Sequence, residues 1–208
     1  MKIKLILALG VVVAFSVAGV VLHQKADAKS SNDITLREIL HDPRIPAEGN
    51  AEGDLTIVEY FDYQCSYCKK VNPVLQQIAR EDGHIRLVFK DWPIFGEISI
   101  YAARLGLAAK FQNKFSEAHR ALISTQGSLS KESVLKALAE AGIDVTRAKR
   151  DLEANQKEID AILAHNQDQA SALGFEGPPA FMVGRFRIPA VFNTANFKDY
   201  IAQARARP

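Results

Sequence analysis

Cys65 and Cys68 are the only cysteines in this chain of 208 residues, and two residues separate them. Thiols at that spacing can hold a disulfide between them or trade it with another molecule through a mixed disulfide. Other uses of such a pair fit less well. A tetrahedral zinc site needs about four N, S or O ligands, and His23, His41, His84, His119 and His165 show no paired spacing. A structural disulfide stabilises more as its loop lengthens, so one this short constrains little. Reduced, inert core cysteines are the third alternative.

The flanking residues predict how the pair is held. Leu55–Phe61 is β-branched and aromatic, as a buried strand is. Asp62, Tyr63 and Gln64 form a polar turn, after which Val71, Val74, Leu75 and Ile78 recur at helical spacing, predicting a helix from about Cys65 to Arg80 that ends at Asp82-Gly83. The first turn of a helix has unpaired N–H groups and a positive dipole end, which stabilise a thiolate on Cys65. Cys68, one turn further in, is expected to be the more buried. Ile85–Phe89 reads as a second strand, parallel to the first in a βαβ unit. Glu59 falls within the first strand, where a buried carboxyl of raised pKa could pass protons to and from Cys68; an exposed edge-strand charge is the alternative. Lys90 is expected either to pair with Glu59 across the sheet or to be solvated. Asp62, Asp91 and Glu97 read as solvated charges that follow strands.

Residues 29–53 read as an N-terminal arm without a core of its own. Asp33 caps a short amphipathic turn through Ile34, Leu36, Ile39 and Leu40, and turns follow at Glu48-Gly49-Asn50 and Glu52-Gly53-Asp54. Helical patterns fill the stretch from Ile98 to Gly174, including a capping-box pattern at Asn155-Gln156-Lys157-Glu158. Ile98, Leu105, Phe111 and Phe115 read as core. Gly177-Pro178-Pro179 then leads into Ala180–Val183, a Gly184-Arg185 turn, a return strand Phe186–Ile188 and a last helix Phe197–Ala204 capped by Asn193 or Thr194. A βαβ half (54–96) and a ββα half (175–208) around one motif make an α/β, thioredoxin-like fold with an all-helical insertion (97–174).

The first 28 residues read separately. Lys2 and Lys4 precede an apolar run from Leu5 to Leu22 and an Ala26-Asp27-Ala28 cleavage pattern, as in a signal peptide; the run is also long enough for an uncleaved anchor. Export would put the rest where disulfides persist. The formal charge of +2 falls to zero without that segment, which holds Lys2, Lys4, Lys25 and Asp27. A neutral remainder argues against nucleic acid as a partner.

Val58-Glu59-Tyr60-Phe61-Asp62-Tyr63-Gln64-Cys65-Ser66-Tyr67-Cys68-Lys69, together with Gly177-Pro178-Pro179-Ala180-Phe181, resembles the DsbA-like branch of the thioredoxin superfamily, nearest its periplasmic ScsC-like and BdbD-like members. The resemblance covers roughly residues 40–205. It implies a protein disulfide oxidoreductase in the periplasm, in which Cys65 is the nucleophile and Cys68 the resolving thiol. Ser66 and Tyr67 would tune the redox potential, and Glu59 would be the buried acid. Pro179 matches the family's cis-proline beside the dithiol, where substrate docks. Two departures matter. DsbA has Pro and His where this chain has Ser66 and Tyr67, so a less depressed Cys65 pKa and a less oxidising couple are expected. Pro178 has no N–H to give a substrate strand.

Exported proteins with thiols or disulfides are the implied substrates, with a membrane redox partner. No metal and no cofactor beyond the Cys65–Cys68 disulfide is expected. Isomerases of this group are often oligomers held by a long N-terminal stalk; the short, Pro/Gly-broken arm here favours a monomer and oxidase action. The alternative function is a Cu(I)-binding module using both thiols.

Overall fold

The structure, a computed structural model, describes residues 34–188 and 194–207. The expected leader, 1–28, and the expected caps Asp33 and Asn193 lie outside the described residues. In chain order the elements are α1 (Leu36–Leu40), β1 (Ala47–Gly49), β2 (Leu55–Phe61), α2 (Ser66–Asp82), β3 (Ile85–Asp91), α3 (Glu97–Ala108), a 3-10 turn (Ala109–Gln112), α4 (Phe115–Ile123), α5 (Lys131–Glu140), α6 (Val145–Ala154), α7 (Gln156–Ala172), β4 (Ala180–Val183), β5 (Phe186–Ile188) and α8 (Thr194–Ala206).

The strands form one mixed sheet in the order β1-β3-β2-β4-β5. β2 and β3 run parallel from Leu55↔Ile85 to Phe61↔Asp91, and β4 lies antiparallel on the other side of β2. β2 is therefore central and has no free edge. Its residues alternate between two cores. Leu55, Ile57 and Phe61 pack with Val71, Leu75 and Ile78 of α2 and Phe197 and Ile201 of α8. Val58 and Tyr60 pack with Ile39 of α1 and Ile159 and Ile162 of α7. With both faces covered, all seven residues of β2 are buried, Thr56 and Glu59 included.

α2 carries Pro73 in its interior, which removes the N–H that would reach Lys69 and costs about 3 kcal/mol. Val71, Leu75 and Ile78 are each nearly fully buried on the sheet. At about 1.5–3 kcal/mol per such side chain, their burial outweighs the lost hydrogen bond, and the helix continues to Asp82. Gly83 ends it with φ 73°, a left-handed conformation that glycine adopts without a Cβ penalty. Among the described residues no helix is long and apolar enough to cross a membrane.

Several expectations are corrected here. The arm is part of the fold. Ala47–Gly49 is an edge strand antiparallel to β3, where turns were expected, and Thr35 caps α1 in a reciprocal box with Glu38. Pairing with residues far along the chain, as Gly49 pairs with Arg86, leaves no local signature in a three-residue strand. Asn155 makes no side-chain cap on α7; its Nδ2 donates to Asp151 O at 2.8 Å, closing α6 instead. Lys90 is neither solvated nor paired with Glu59. It stands opposite Tyr60 in the register, on the other face from Glu59, fully buried, and donates to Gln169 Oε1 at 2.6 Å. Asp62 and Asp91 are buried as well, each 1% exposed, whereas Glu97 is exposed as expected. Ile98 and Phe111 are only partly buried, while Leu105 and Phe115 lie in the core.

Candidate active site

Cys65 is the N-cap of α2. Its backbone is extended (φ −69°, ψ 112°), and its Sγ accepts the N–H of Cys68 at 3.2 Å. A capping side chain is normally a hydroxyl or carboxylate; a thiolate does the same work on the same unpaired N–H groups and gains from the dipole end. The pair is present as the dithiol. The Cys65 thiol is drawn down from 9.0 to about 7, first by the Cys68 side chain and then by the N–H groups of Cys68 and Tyr67, against the opposing effect of burial. For Cys68, burial is the leading cause of a strong upward push, with Cys65 and Glu59 adding to it. The two sulfurs are thus differentiated by position alone. Exposure follows the expected order, though Cys65 at 5% is less open than a surface thiol and Cys68 is at 0%.

Glu59 lies on the α2 face of β2, between Ile57 and Phe61. It is 1% exposed, and neither carboxyl oxygen has a hydrogen-bond partner among the described residues. The edge-strand alternative is excluded by the central place of β2. Burial, and then Cys65, raise the Glu59 carboxyl well above 4.5, which favours its protonated form in the layer that contains Cys68.

From the opposite side Pro178 closes on the motif. The Pro178–Pro179 peptide is cis, and the Cys65 thiol donates to Pro178 O at 3.4 Å. Ser66 and Tyr67 are exposed, and Tyr67 is 69% open to solvent. The structure thus brings Cys65, Ser66, Tyr67 and Pro178 to one surface, with Cys68 and Glu59 beneath it. Cys65 opens onto a groove of about 760 Å³ between the start of α2, the exposed Phe95 and the loop after α4.

The turn that presents Cys65 is fastened by residues for which the sequence suggested no such role. Asp62 accepts from Gln64 N (2.7 Å), Ser99 Oγ (2.7 Å), Ile94 N (2.8 Å) and Phe95 N (3.0 Å). It thereby ties the turn to the loop carrying two of the exposed apolar side chains, Ile94 and Phe95. Asp91, beside it, has no partner for either side-chain oxygen among the described residues, and burial raises its carboxyl well above the usual range. Tyr63 Oη sits 3.3 Å from Nδ1 of the buried His119, whose Nε2 accepts from Asn72 Nδ2 at 3.0 Å. With that amide orientation the imidazole is neutral and its Nδ1–H faces Tyr63. Burial pushes His119 down to about 3. Gly106 leaves room for this tyrosine, since a Cβ there would stand 3.0 Å from Tyr63 Oη. Opposite Cys65, Lys69 Nζ donates to Thr125 Oγ1 (3.2 Å) and Gly127 O (3.1 Å). Lys69 follows Cys65 by one helical turn and could have been found from that spacing. His119 could not, because it meets Asn72 and Tyr63 across 47 and 56 residues. No group of three or more His, Cys, Asp or Glu side chains poised for a metal occurs among the described residues.

Comparison with known proteins matches residues 56–202 to the family model of the DSBA-like thioredoxin domain. Among solved structures, a thioredoxin-like oxidoreductase from Silicibacter pomeroyi DSS-3 is 36% identical, with a TM-score of 0.80 over 84% of this chain and all (100%) of that one. The thiol-disulfide exchange protein alpha-DsbA2 from Wolbachia pipientis is 26% identical, with a TM-score of 0.75 over 80% of this chain and 90% of its own. The catalytic domain of Proteus mirabilis ScsC, at 22% identity and TM-score 0.72 over 82% of this chain and 94% of its own, shares the fold. A curated relative, the Na(+)/H(+) antiporter NhaA 3 of Salinispora tropica, is 29% identical over 77% of this chain. The chain spans about a quarter (25%) of that relative's length.

Proposed function

This chain belongs to the DSBA-like thioredoxin-domain family, and we propose that it is an exported thiol–disulfide oxidoreductase acting on periplasmic proteins through Cys65. The carrying observation is Cys65 as the N-cap of α2, its sulfur on the N–H of Cys68 and open to a groove. A sulfur so placed is stabilised as thiolate, which makes it both the attacking and the leaving group of disulfide exchange.

In the oxidising direction a substrate thiolate attacks Cys65 Sγ of the Cys65–Cys68 disulfide. The sulfur of Cys68 leaves as a thiolate and takes a proton, for which Glu59 is the buried donor. A second substrate thiolate then attacks the substrate sulfur of the mixed disulfide and releases Cys65. The substrate loses two electrons, and the dithiol holds them until a membrane redox partner removes them. No further cofactor enters this scheme. The reduced form is favoured by the Cys65 thiolate, which supports oxidase action. A thiol near 7 favours it less than the value of about 3.5 known for DsbA, so the couple is weaker as an oxidant. α1 and β1 are taken up in the fold, which supports a monomer over a stalked oligomer. The exported setting rests on the leader pattern of residues 1–28.

Substrate docking rests on Tyr67 and Phe95, the exposed aromatic side chains that line the groove at Cys65. It does not rest on strand addition, since Pro178 lacks an N–H and its carbonyl faces Cys65 Sγ. A Cu(I) module has less support. Binding through both thiols needs Cys68 to ionise, and burial beside Glu59 opposes this.

The test is reoxidation of reduced ribonuclease and reduction of insulin by wild type and Cys65→Ser. Loss of both activities in the variant is expected. Equal activity of the variant, or none in wild type, would overturn the proposal.

A further inference from the structure

The groove beside Cys65 carries one sign of charge. Lys69 and Lys70 line it, and no side chain lining it is acidic. Lys69 lies one helical turn beyond Cys65 and reaches across the groove to Thr125 Oγ1 and Gly127 O, so its ammonium forms part of the far wall. Lys70 Nζ stands 5.4 Å from the centroid of the Tyr67 ring, placing a second cation on the exposed aromatic at the rim. The acids near the motif face elsewhere. Asp62 is turned inward onto the N–H groups of Ile94 and Phe95, and Glu59 is sealed between the sheet and α2. The N-terminal end of α2 adds to the same positive field.

We infer that this groove selects anionic partners: disulfides or thiols in segments that carry Asp or Glu within two or three residues of the reacting cysteine. Lys69 and Lys70 are specificity residues that meet those carboxylates, while Tyr67 and Phe95 cover apolar neighbours. The inference rests on the exchange chemistry proposed above. The lysines act before any bond changes, by raising the local concentration of a negatively charged partner in a cleft lined by the opposite sign. The chemical step itself is unaltered. The Cys65 thiolate attacks one sulfur of a disulfide, forming Cys65–S–S–R and releasing the other half as a thiolate that takes a proton from water. Cys68 then displaces the second half. Two protein thiols become a disulfide, and the two electrons leave with two small thiols.

The experiment uses the reduced full chain and two small symmetrical disulfides of opposite charge, the dianion 3,3′-dithiodipropionate and the dication cystamine. Rates come from the loss of thiolate absorbance at 240 nm, and each is divided by that disulfide's rate with 2-mercaptoethanol to remove its intrinsic reactivity. The normalised dianion rate should exceed the dication rate by about tenfold at low ionic strength, and the ratio should approach one near 1 M salt, where the Debye length is about 3 Å. Lys69→Gln should narrow the ratio, and Lys70→Glu, which breaks no contact across the groove, should narrow it further. Lys149→Gln, on the exposed side of α6, should leave it in place. Equal normalised rates in wild type, a preference for cystamine, or a ratio unmoved in Lys70→Glu would overturn the inference while leaving exchange intact. Failure of both disulfides to react would instead overturn exchange itself.

Discussion

Replacing Cys68 with alanine should raise the pKa of Cys65, because the largest single stabiliser of the Cys65 thiolate is the side chain of Cys68. The substitution removes that S–H donor and keeps the backbone N–H at 3.2 Å. A hydrogen bond to a charged group contributes about 1.5–3 kcal/mol, and one pKa unit is about 1.4 kcal/mol, so the shift should be about one to two units upward from 7. At pH 7 the thiolate fraction would fall from about one-half to about one-tenth or less. Alkylation by iodoacetamide at pH 7 should therefore slow at least ~5-fold, while the plateau rate at high pH stays the same. The 240 nm absorbance titration should move by the same amount. Cys68→Ser restores a donor and should return the midpoint toward 7. A midpoint that stays near 7 in the alanine variant would refute the reasoning, because the backbone N–H groups and the helix end would then suffice alone.

Glu59→Gln should stabilise the reduced protein more as pH rises. The folded pKa of Glu59 lies above 4.5, so its contribution is fully present below that value and is lost as pH rises through the folded pKa, at up to about 1.4 kcal/mol per pH unit. Urea unfolding of both proteins at pH 5, 6 and 7 checks this, and parallel profiles would contradict it. His119 has the opposite dependence: its folded pKa of about 3 lies below 6.5, so stability is present above 6.5 and is lost as pH falls toward 3. His119→Gln should be less stable than wild type at pH 7 by about 1–3 kcal/mol, having lost a buried hydrogen-bond partner. The gap should narrow in thermal melts between pH 6 and 4, where only the wild type carries that slope.

The redox pair, its strand and its helix were legible from local sequence, because each signal is carried by neighbours in the chain. An apolar run ends at Phe61, a polar turn follows, and helical spacing begins after Cys65; backbone sterics and side-chain burial act over that same range. The fold class followed from the order of such segments. What the sequence left open was everything decided by residues far apart in number. Whether Glu59 was an exposed charge or a buried acid depended on β2 being flanked by β3 and β4. Lys90 and Glu59 carry opposite charges but face opposite ways, because residues 59 and 90 are one step out of register. Asp62 looked like a solvated charge until the loop at Ile94 and Phe95 folded over it with two backbone N–H groups. A buried polar group is either satisfied by partners distant in sequence, as Asp62 is, or pushed toward its neutral form, as Glu59 is, and which of the two applies is decided by tertiary structure alone.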